Sequence, residues 1–270
     1  MYPKSIIFVL FMLIPIVIAA PPSIDSIELN DATIADNSID LTAGNLTIIS
    51  CFGTASDIDA DIDTITGIIY SQNSNYDAEE NESNHYSNLS CDFTAGDYNC
   101  SFDVQYYAEP NEWTCNITVN DTTKQNDSDT DTANITQMIG INIPGVFAVS
   151  FGEMDRLTNN SNRNITFENV GNVEIDINID AWQINGDQDS PNSMNCSMGN
   201  IAIGMVRASL TKGLYGTYTP FQMLGYQFFN ANLKKQVSGS IPTNTTIFIG
   251  LEIPQDIAGV CEGVISLQGV

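Results

Sequence analysis

Asp57, Asp59, Asp61 and Asp63 alternate along the chain, and Asp127, Asp129 and Asp131 repeat the spacing further on. In an extended backbone alternate side chains leave on one side. Each run would therefore set carboxylates side by side, where repulsion invites a hard cation. A set of oxygen ligands suits calcium. The EF-hand pattern is not met: Ile62 stands where the loop needs its turn glycine, and Ile68 where it needs its closing glutamate. The favoured reading is nevertheless a pair of solvated acidic loops with no cofactor. The alternative is calcium at these seven aspartates, the second run stiffening a junction between domains.

Other chemistries find less material. Activating a Ser, Cys or Thr nucleophile needs a nearby base, most often histidine. The single histidine, His85, lies in the polar stretch Asn81-Glu-Ser-Asn-His85-Tyr and reads as a solvated loop residue. No Gly-x-Ser-x-Gly or His-Glu-x-x-His occurs. Two carboxylates suffice for a glycosidase, but among 33 acidic residues no spacing singles out a pair. The six cysteines, Cys51, Cys91, Cys100, Cys115, Cys196 and Cys261, include no close pair of zinc-ligand spacing. Their even number points to disulfides, for which fifteen connectivities exist. The expectation is a protein without catalytic residues. From Leu214 to Phe229 the aromatics Tyr215, Tyr218, Phe221, Tyr226, Phe228 and Phe229 read either as core filling or as a contact surface for sugars or a neighbouring subunit.

The charge balance narrows the partners. The 33 acids oppose 8 bases, a net charge of −25 that repels phosphate backbones and anionic lipid heads, so nucleic acid is not expected as a partner. The 43% hydrophobic content, regularly spaced, excludes ordinary disorder. Residues 1–19 read as a signal peptide, with Lys4 before the apolar stretch Ile6–Ile18 and cleavage after Ala19; the alternative is an uncleaved anchor. No second apolar span follows, so no membrane span is expected after leader cleavage. Sequons stand at Asn45, Asn81, Asn88, Asn99, Asn116, Asn120, Asn126, Asn134, Asn159, Asn164, Asn195 and Asn244, twelve where independent placement gives roughly five. These are the expected glycosylation sites, on a secreted or cell-surface protein.

The elements that must position these residues are strands. Period-two alternation dominates and helical periodicity is nearly absent, which makes the chain all-β. In the first half strands are expected around Ile27 and Leu29, over Leu46–Gly53 and over Ile65–Tyr70. A hairpin centred on Ala95-Gly96 sets Cys91 opposite Cys100 and Phe93 opposite Tyr98. Trp113, Cys115, Ile117 and Val119 alternate on a later strand. The run Asp121–Ala133 has no apolar residue before Ala133 and reads as a linker or exposed loop. In the second half Val173, Ile175, Ile177 and Ile179 alternate with Glu174, Asp176, Asn178 and Asp180, one face buried and one wet. Turns are expected at Asn169–Asn172 and Asn185-Gly186, and final strands over Thr246–Ile253 and Val260–Leu267.

The order strand, Cys51, strand, hairpin, then Trp113-Thr-Cys115 resembles the immunoglobulin-like domains of secreted prokaryotic surface proteins. Trp113 occupies the place that holds a tyrosine in antibody domains, and no Trp follows Cys51 on the next strand. The second half, with Asn169-x-Gly-Asn and the terminal Ile253-Pro-x(4)-Gly-x-Cys-x-Gly-x-Ile265, resembles the C-terminal β-sandwich modules of archaeal cell-surface proteins. The resemblance implies two β-sandwich domains, the first immunoglobulin-like over 22–122, the second a Greek-key or jelly-roll-like sandwich over 137–270. Between them, 123–136 is an acidic linker or the last strand of the first domain. It also selects the pairings Cys51–Cys115, Cys91–Cys100 and Cys196–Cys261. The function it implies is a non-enzymatic structural or adhesive surface protein, self-assembling through edge strands. The alternative is a carbohydrate-binding module or carboxylate-pair hydrolase acting on envelope polysaccharide. Its partners would be other envelope proteins, copies of itself, or glycans.

Overall fold

The computed structural model describes residues 20–31, 37–145, 148–186, 190–222, 225–239 and 241–270. The leader expected at 1–19 lies outside these residues, as do Met223 and Leu224 of the aromatic stretch. The fold is all-β, built as two β-sandwiches.

The first sandwich contains β1 (Ser23–Asp31), β2 (Ser38–Ile39), β3 (Thr47–Ser56), β4 (Ile62–Ser71), β5 (His85–Asn88), β6 (Asp92–Thr94), β7 (Asp97–Val104), β8 (Glu112–Asp121) and β9 (Asn126–Ile135). One sheet runs β1-β3-β7-β6 and the other β2-β9-β8-β4-β5, with β2 parallel to β9. Lettered in chain order, these are the A-B-E-D and A′-G-F-C-C′ sheets of an immunoglobulin-type sandwich. Alternation sorts the side chains: on β8 Trp113, Cys115, Ile117 and Val119 are buried while Thr114, Asn116, Thr118 and Asn120 face outward. Cys51 on β3 and Cys115 on β8 form the bridge between the sheets. Ala95 and Gly96 both take positive φ in the β6–β7 turn, which pairs Phe93 with Tyr98 and lets Cys91 bond Cys100. The indole N–H of Trp113 donates to the carbonyl of Glu109 at 2.9 Å. That is the bond back to upstream backbone which a tyrosine hydroxyl makes at this corner in antibody domains.

The run read as an acidic linker or as the last strand of the first domain is strand β9. It pairs with β8 from Glu112↔Asn134 to Asn120↔Asn126. Apolar alternation fails to show it because the first three inner positions carry Asp127, Asp129 and Asp131. On the inner side Asp127 and Asp131 stand where apolar residues would, and they accept backbone hydrogen bonds instead. Ile24 N–H donates to Asp127 Oδ2 at 2.9 Å and Leu29 N–H to Asp131 Oδ2 at 2.8 Å. The two carboxylates thus satisfy amides of β1 that its pairing with β3 leaves over, and they close the edge between the sheets.

The second sandwich contains β10 (Ile141–Asn142), β11 (Asn159–Asn169), β12 (Ile175–Gln183), β13 (Asn192–Met198), β14 (Asn200–Ala202), β15 (Val206–Ser209), β16 (Thr219–Pro220), β17 (Gln227–Leu233), β18 (Thr243–Glu252) and β19 (Ala258–Gly269). Its sheets run β10-β11-β18-β15-β16 and β14-β13-β19-β12-β17. Ile175, Ile177 and Ile179 enter the core between them, as alternation requires. Asp180, expected on the wet face, is enclosed, and its Oδ1 accepts the N–H of Ala181. Cys196 and Cys261 are direct cross-strand partners with Cα atoms 3.9 Å apart, and they are disulfide-bonded.

The sandwiches meet at a polar junction. Asn172 clamps the connecting segment: it receives Met138 N–H on Oδ1 at 2.7 Å and donates through Nδ2 to Thr136 O at 2.8 Å. Tyr106 and Tyr107, edge to face, pack against Val170. Tyr106 donates to Gln236 Oε1, and Tyr107 to Glu82 Oε2 at 2.6 Å and to Gly239 O. Lys235 Nζ reaches Tyr107 O at 2.9 Å.

Candidate functional site

Two turns meet at one end of the first sandwich. After β3 the chain bends through Asp57–Asp61, where Ala60 takes φ +56° and Asp59 N–H donates to Asp57 Oδ1 at 2.7 Å. After β8 it bends through Asp121–Gln125, held by Gln125 N–H on Asp121 Oδ1 at 2.8 Å and by the Thr123 hydroxyl. The first bend breaks the extended geometry on which a four-aspartate ladder depends. Asp59 and Asp63 therefore leave the row. Asp59 accepts Ala20 N–H at 2.8 Å, and Asp63 pairs with Lys124 at 3.2 Å.

Asp57 and Asp61 instead converge on Asp121, with one carboxylate oxygen from each within 4.8 Å of the others. Calcium binds oxygens at 2.3–2.6 Å, so ligands around one ion lie up to about 5 Å apart. Asp121 is fully buried, and its oxygens are held by the turn. Asp57 Oδ2 and Asp61 Oδ1 are shielded from solvent and have no hydrogen-bond partner, while Asp61 Oδ2 accepts the Thr122 hydroxyl at 2.5 Å. The ligand set that could hold a cation is therefore Asp57, Asp61 and Asp121. Asp121 lies 58 residues beyond Asp63 in sequence, and only the Ile62↔Asp121 pairing of β4 with β8 brings it here.

The second run does not form a cation ladder. Asp127 and Asp131 are engaged by β1, and Asp129 Oδ1 accepts the neighbouring Thr130 N–H at 2.8 Å.

His85 is not solvated. It is 3% exposed on β5, its ring stacks on Tyr70, and Nε2 lies 3.4 Å from Tyr76 O. Pairing of β5 with β4 turns this side chain inward, an arrangement that a polar local sequence conceals. The carboxylate missed by sequence reasoning is Glu109, at the junction. It accepts from Ser71 Oγ and Asn73 Nδ2, each at 2.9 Å, and from Asn111 and Asn84. Burial pushes its pKa up, but the Asn73, Ser71 and Asn111 donors and the Lys235 charge outweigh this and hold it below the ordinary value. Burial lowers the pKa of Lys235, against the pull of Glu109.

The aromatic stretch divides between its two readings. Tyr215, Tyr218, Phe221 and Phe229 are buried, Tyr215 stacking under Arg207 at 4.7 Å, whereas Phe228 and Leu214 are exposed. Sequon asparagines are exposed at Asn45, Asn81, Asn99, Asn126, Asn134, Asn159, Asn164 and Asn244, and half-buried at Asn88, Asn116, Asn120 and Asn195.

No family model matches the chain, and no curated protein matches it. Among solved structures, one of carbohydrate-binding modules from the β-sandwich superfamily aligns at 10% identity and TM-score 0.29, covering 92% of this chain and 96% of that one. Escherichia coli alpha-2-macroglobulin activated by porcine elastase aligns at 9% identity and TM-score 0.28, covering 91% of this chain and 20% of that one. Among the described residues no helix is long and apolar enough to cross a membrane.

Proposed function

We propose that this chain is a non-enzymatic extracellular scaffold, a rigid pair of β-sandwiches that serves surface structure or adhesion and joins its partners through strand edges. The observation that carries the reading is the use of sulfur. All six cysteines are consumed in three bridges between paired or facing strands, a pattern that belongs to oxidising compartments. The hydrogen-bonded junction adds to it, because bonds from Asn172, Tyr106, Tyr107 and Lys235 tie the two sandwiches together. The resemblance to prokaryotic surface domains points the same way. Glycans on the outward sequons would supply surface polarity that so few charges leave wanting.

Calcium at Asp57, Asp61 and Asp121 would lock the β3–β4 turn onto the β8–β9 turn. Processing after Ala19 would add a local cation, since the amide that Asp59 accepts would become the chain's ammonium group. Fractionation of the source cells tests the scaffold reading: the protein should sediment with the envelope, oxidised, and begin at Ala20. Recovery from the cytosol with free thiols would overturn it. Calorimetry tests the ion. Calcium at one hundred times its dissociation constant should stabilise by about 2.7 kcal/mol, and Asp121→Asn should abolish the gain.

A further inference from the structure

We infer that the second sandwich binds a long-chain lipid without negative charge, its hydrocarbon held between the two sheets and its polar end at an acidic mouth. The inference goes beyond the scaffold reading and does not depend on it.

The space lies inside the sandwich. The neighbouring edge of β11 is already engaged: the Ser161 hydroxyl donates to Gly213 O at 3.0 Å, and Ser161 O accepts the Tyr218 hydroxyl at 3.1 Å. Val149, Phe151 and Met154 of the segment 148–156 pack against the core. A cavity of about 1160 Å³ remains with that segment in place, and the segment forms one of its walls. The floor is enclosed, since Ile165, Ala181, Val206, Leu251 and Ile257 are at most 6% exposed. Ile265 and Leu267 of β19 also line the cavity, and they stay half-buried although their pairing partners Ala181 and Ile179 are enclosed. The side chains of the two sheets therefore do not fill the space between them. Protein interiors leave few voids larger than a water molecule. Ligand sites, in contrast, run to about 300–1,000 Å³ and are mostly apolar with a few polar groups.

The lining selects the ligand. Among the described residues no unpartnered buried polar atom borders the cavity, so a polar group carried to its floor would go unpaired. Packed sheets stand about 10 Å apart, which makes the space a slot suited to a slender chain. Charge gathers only where lining residues are exposed, as Glu153, Asp155 and Glu262 against Arg156. Three acids against one base, on a chain of net charge −25, repel a carboxylate or phosphate head and admit a hydroxyl or an amine.

The test uses the oxidised protein and N-phenyl-1-naphthylamine, an uncharged dye that brightens in apolar surroundings. Octanol, decanol and dodecanol should displace it one for one, each added methylene tightening binding about fourfold until the cavity is full. Dodecanoate should bind about tenfold more weakly than dodecanol, and the triple variant Glu153→Gln, Asp155→Asn, Glu262→Gln should bring the two within about threefold. Ala181→Leu, which adds carbon atoms at the floor, should weaken dodecanol about tenfold. Amide-exchange mapping makes the same test on the unaltered protein: dodecanol should slow exchange over 148–156 and 258–267 and leave 23–135 unchanged. Absence of saturable binding, affinity that does not change with chain length, or slowing spread equally over both sandwiches would overturn the inference. So would dodecanoate matching dodecanol on the unaltered protein. Slowed exchange over the same residues on concentrating the protein without alcohol would put a second copy there and overturn it as well.

Discussion

Asp131 offers the most direct test of how an acidic run becomes a strand. Leu29 is 1% exposed, and its N–H has the Asp131 carboxylate 2.8 Å away. Asp131→Ala leaves that donor buried without an acceptor. A hydrogen bond to a charged group contributes about 1.5–3 kcal/mol, and an orphaned buried donor costs about 1–3 kcal/mol. We expect a loss of about 2 kcal/mol, or roughly 8 °C in Tm for a sandwich of this size. A competing effect has the opposite sign: removing one charge from a chain of −25 relieves repulsion. That relief is a matter of tenths of a kcal/mol at an exposed strand under physiological salt, where charges more than about 8 Å apart are largely screened. The hydrogen bond should therefore win. Asp131→Asn, which keeps an acceptor, should lose about half as much, and Asp129→Ala should stay within about 0.5 kcal/mol. Urea denaturation with the disulfides intact measures all three, and amide exchange at Leu29 reports the bond itself. An Asp131→Ala protein as stable as the parent, or Asp129→Ala equally damaged, would refute the argument.

Three further outcomes follow from the same geometry. Hydrogen bonds from Tyr107 and the Gly239 N–H lower the pKa of Glu82, and that of Glu109 is lowered as described above. Carboxylates with lowered values contribute stability above the ordinary pKa near 4.5 and lose it as pH falls through their folded values. The urea midpoint should therefore drop between pH 6 and pH 3, and drop less in a Glu82→Gln, Glu109→Gln double variant. Trp113→Phe keeps most of the ring but removes the donor to Glu109 O, and should cost about 1–2 kcal/mol in the same assay. A Cβ on Gly67 would lie 2.9 Å from Cys100 Cβ and Sγ, so Gly67→Ala should cost about 1–3 kcal/mol, less when Cys91 and Cys100 are both replaced by alanine.

The sequon excess has a reading that the strands supply. On β8 and β9 the asparagines Asn116, Asn126 and Asn134 face outward while the middle residues Ile117, Asp127 and Ile135 turn inward. A strand whose outward positions are mostly Asn, Ser and Thr produces Asn-x-Thr at every second step. Independent placement therefore underestimates the number expected, and occupancy must be measured by glycopeptide mass spectrometry. The eight exposed asparagines are the first to examine.

What the sequence determined by itself was whatever depends on near neighbours. Alternation at Trp113–Val119 and Ile175–Ile179, the turn at Ala95-Gly96 and the pairing of Cys91 with Cys100 across it are properties of about ten consecutive residues, and they stand in the structure as read. What only the tertiary structure decided was where side chains with two available partners went. The first aspartate run looks like a ladder only while its backbone is extended; the bend at Ala60 splits it and delivers Asp57 and Asp61 to a third carboxylate that arrives through the β4–β8 register. Asp127 and Asp131 take the leftover amides of a strand about a hundred residues earlier, so no local pattern marks β9. His85 is turned inward by the pairing of β5 with β4, and Glu109 is held by Ser71, Asn73 and Asn84, which lie 25 to 38 residues away in sequence. A polar group settles where its hydrogen bonds are completed, and here the completing partners come from elsewhere in the chain.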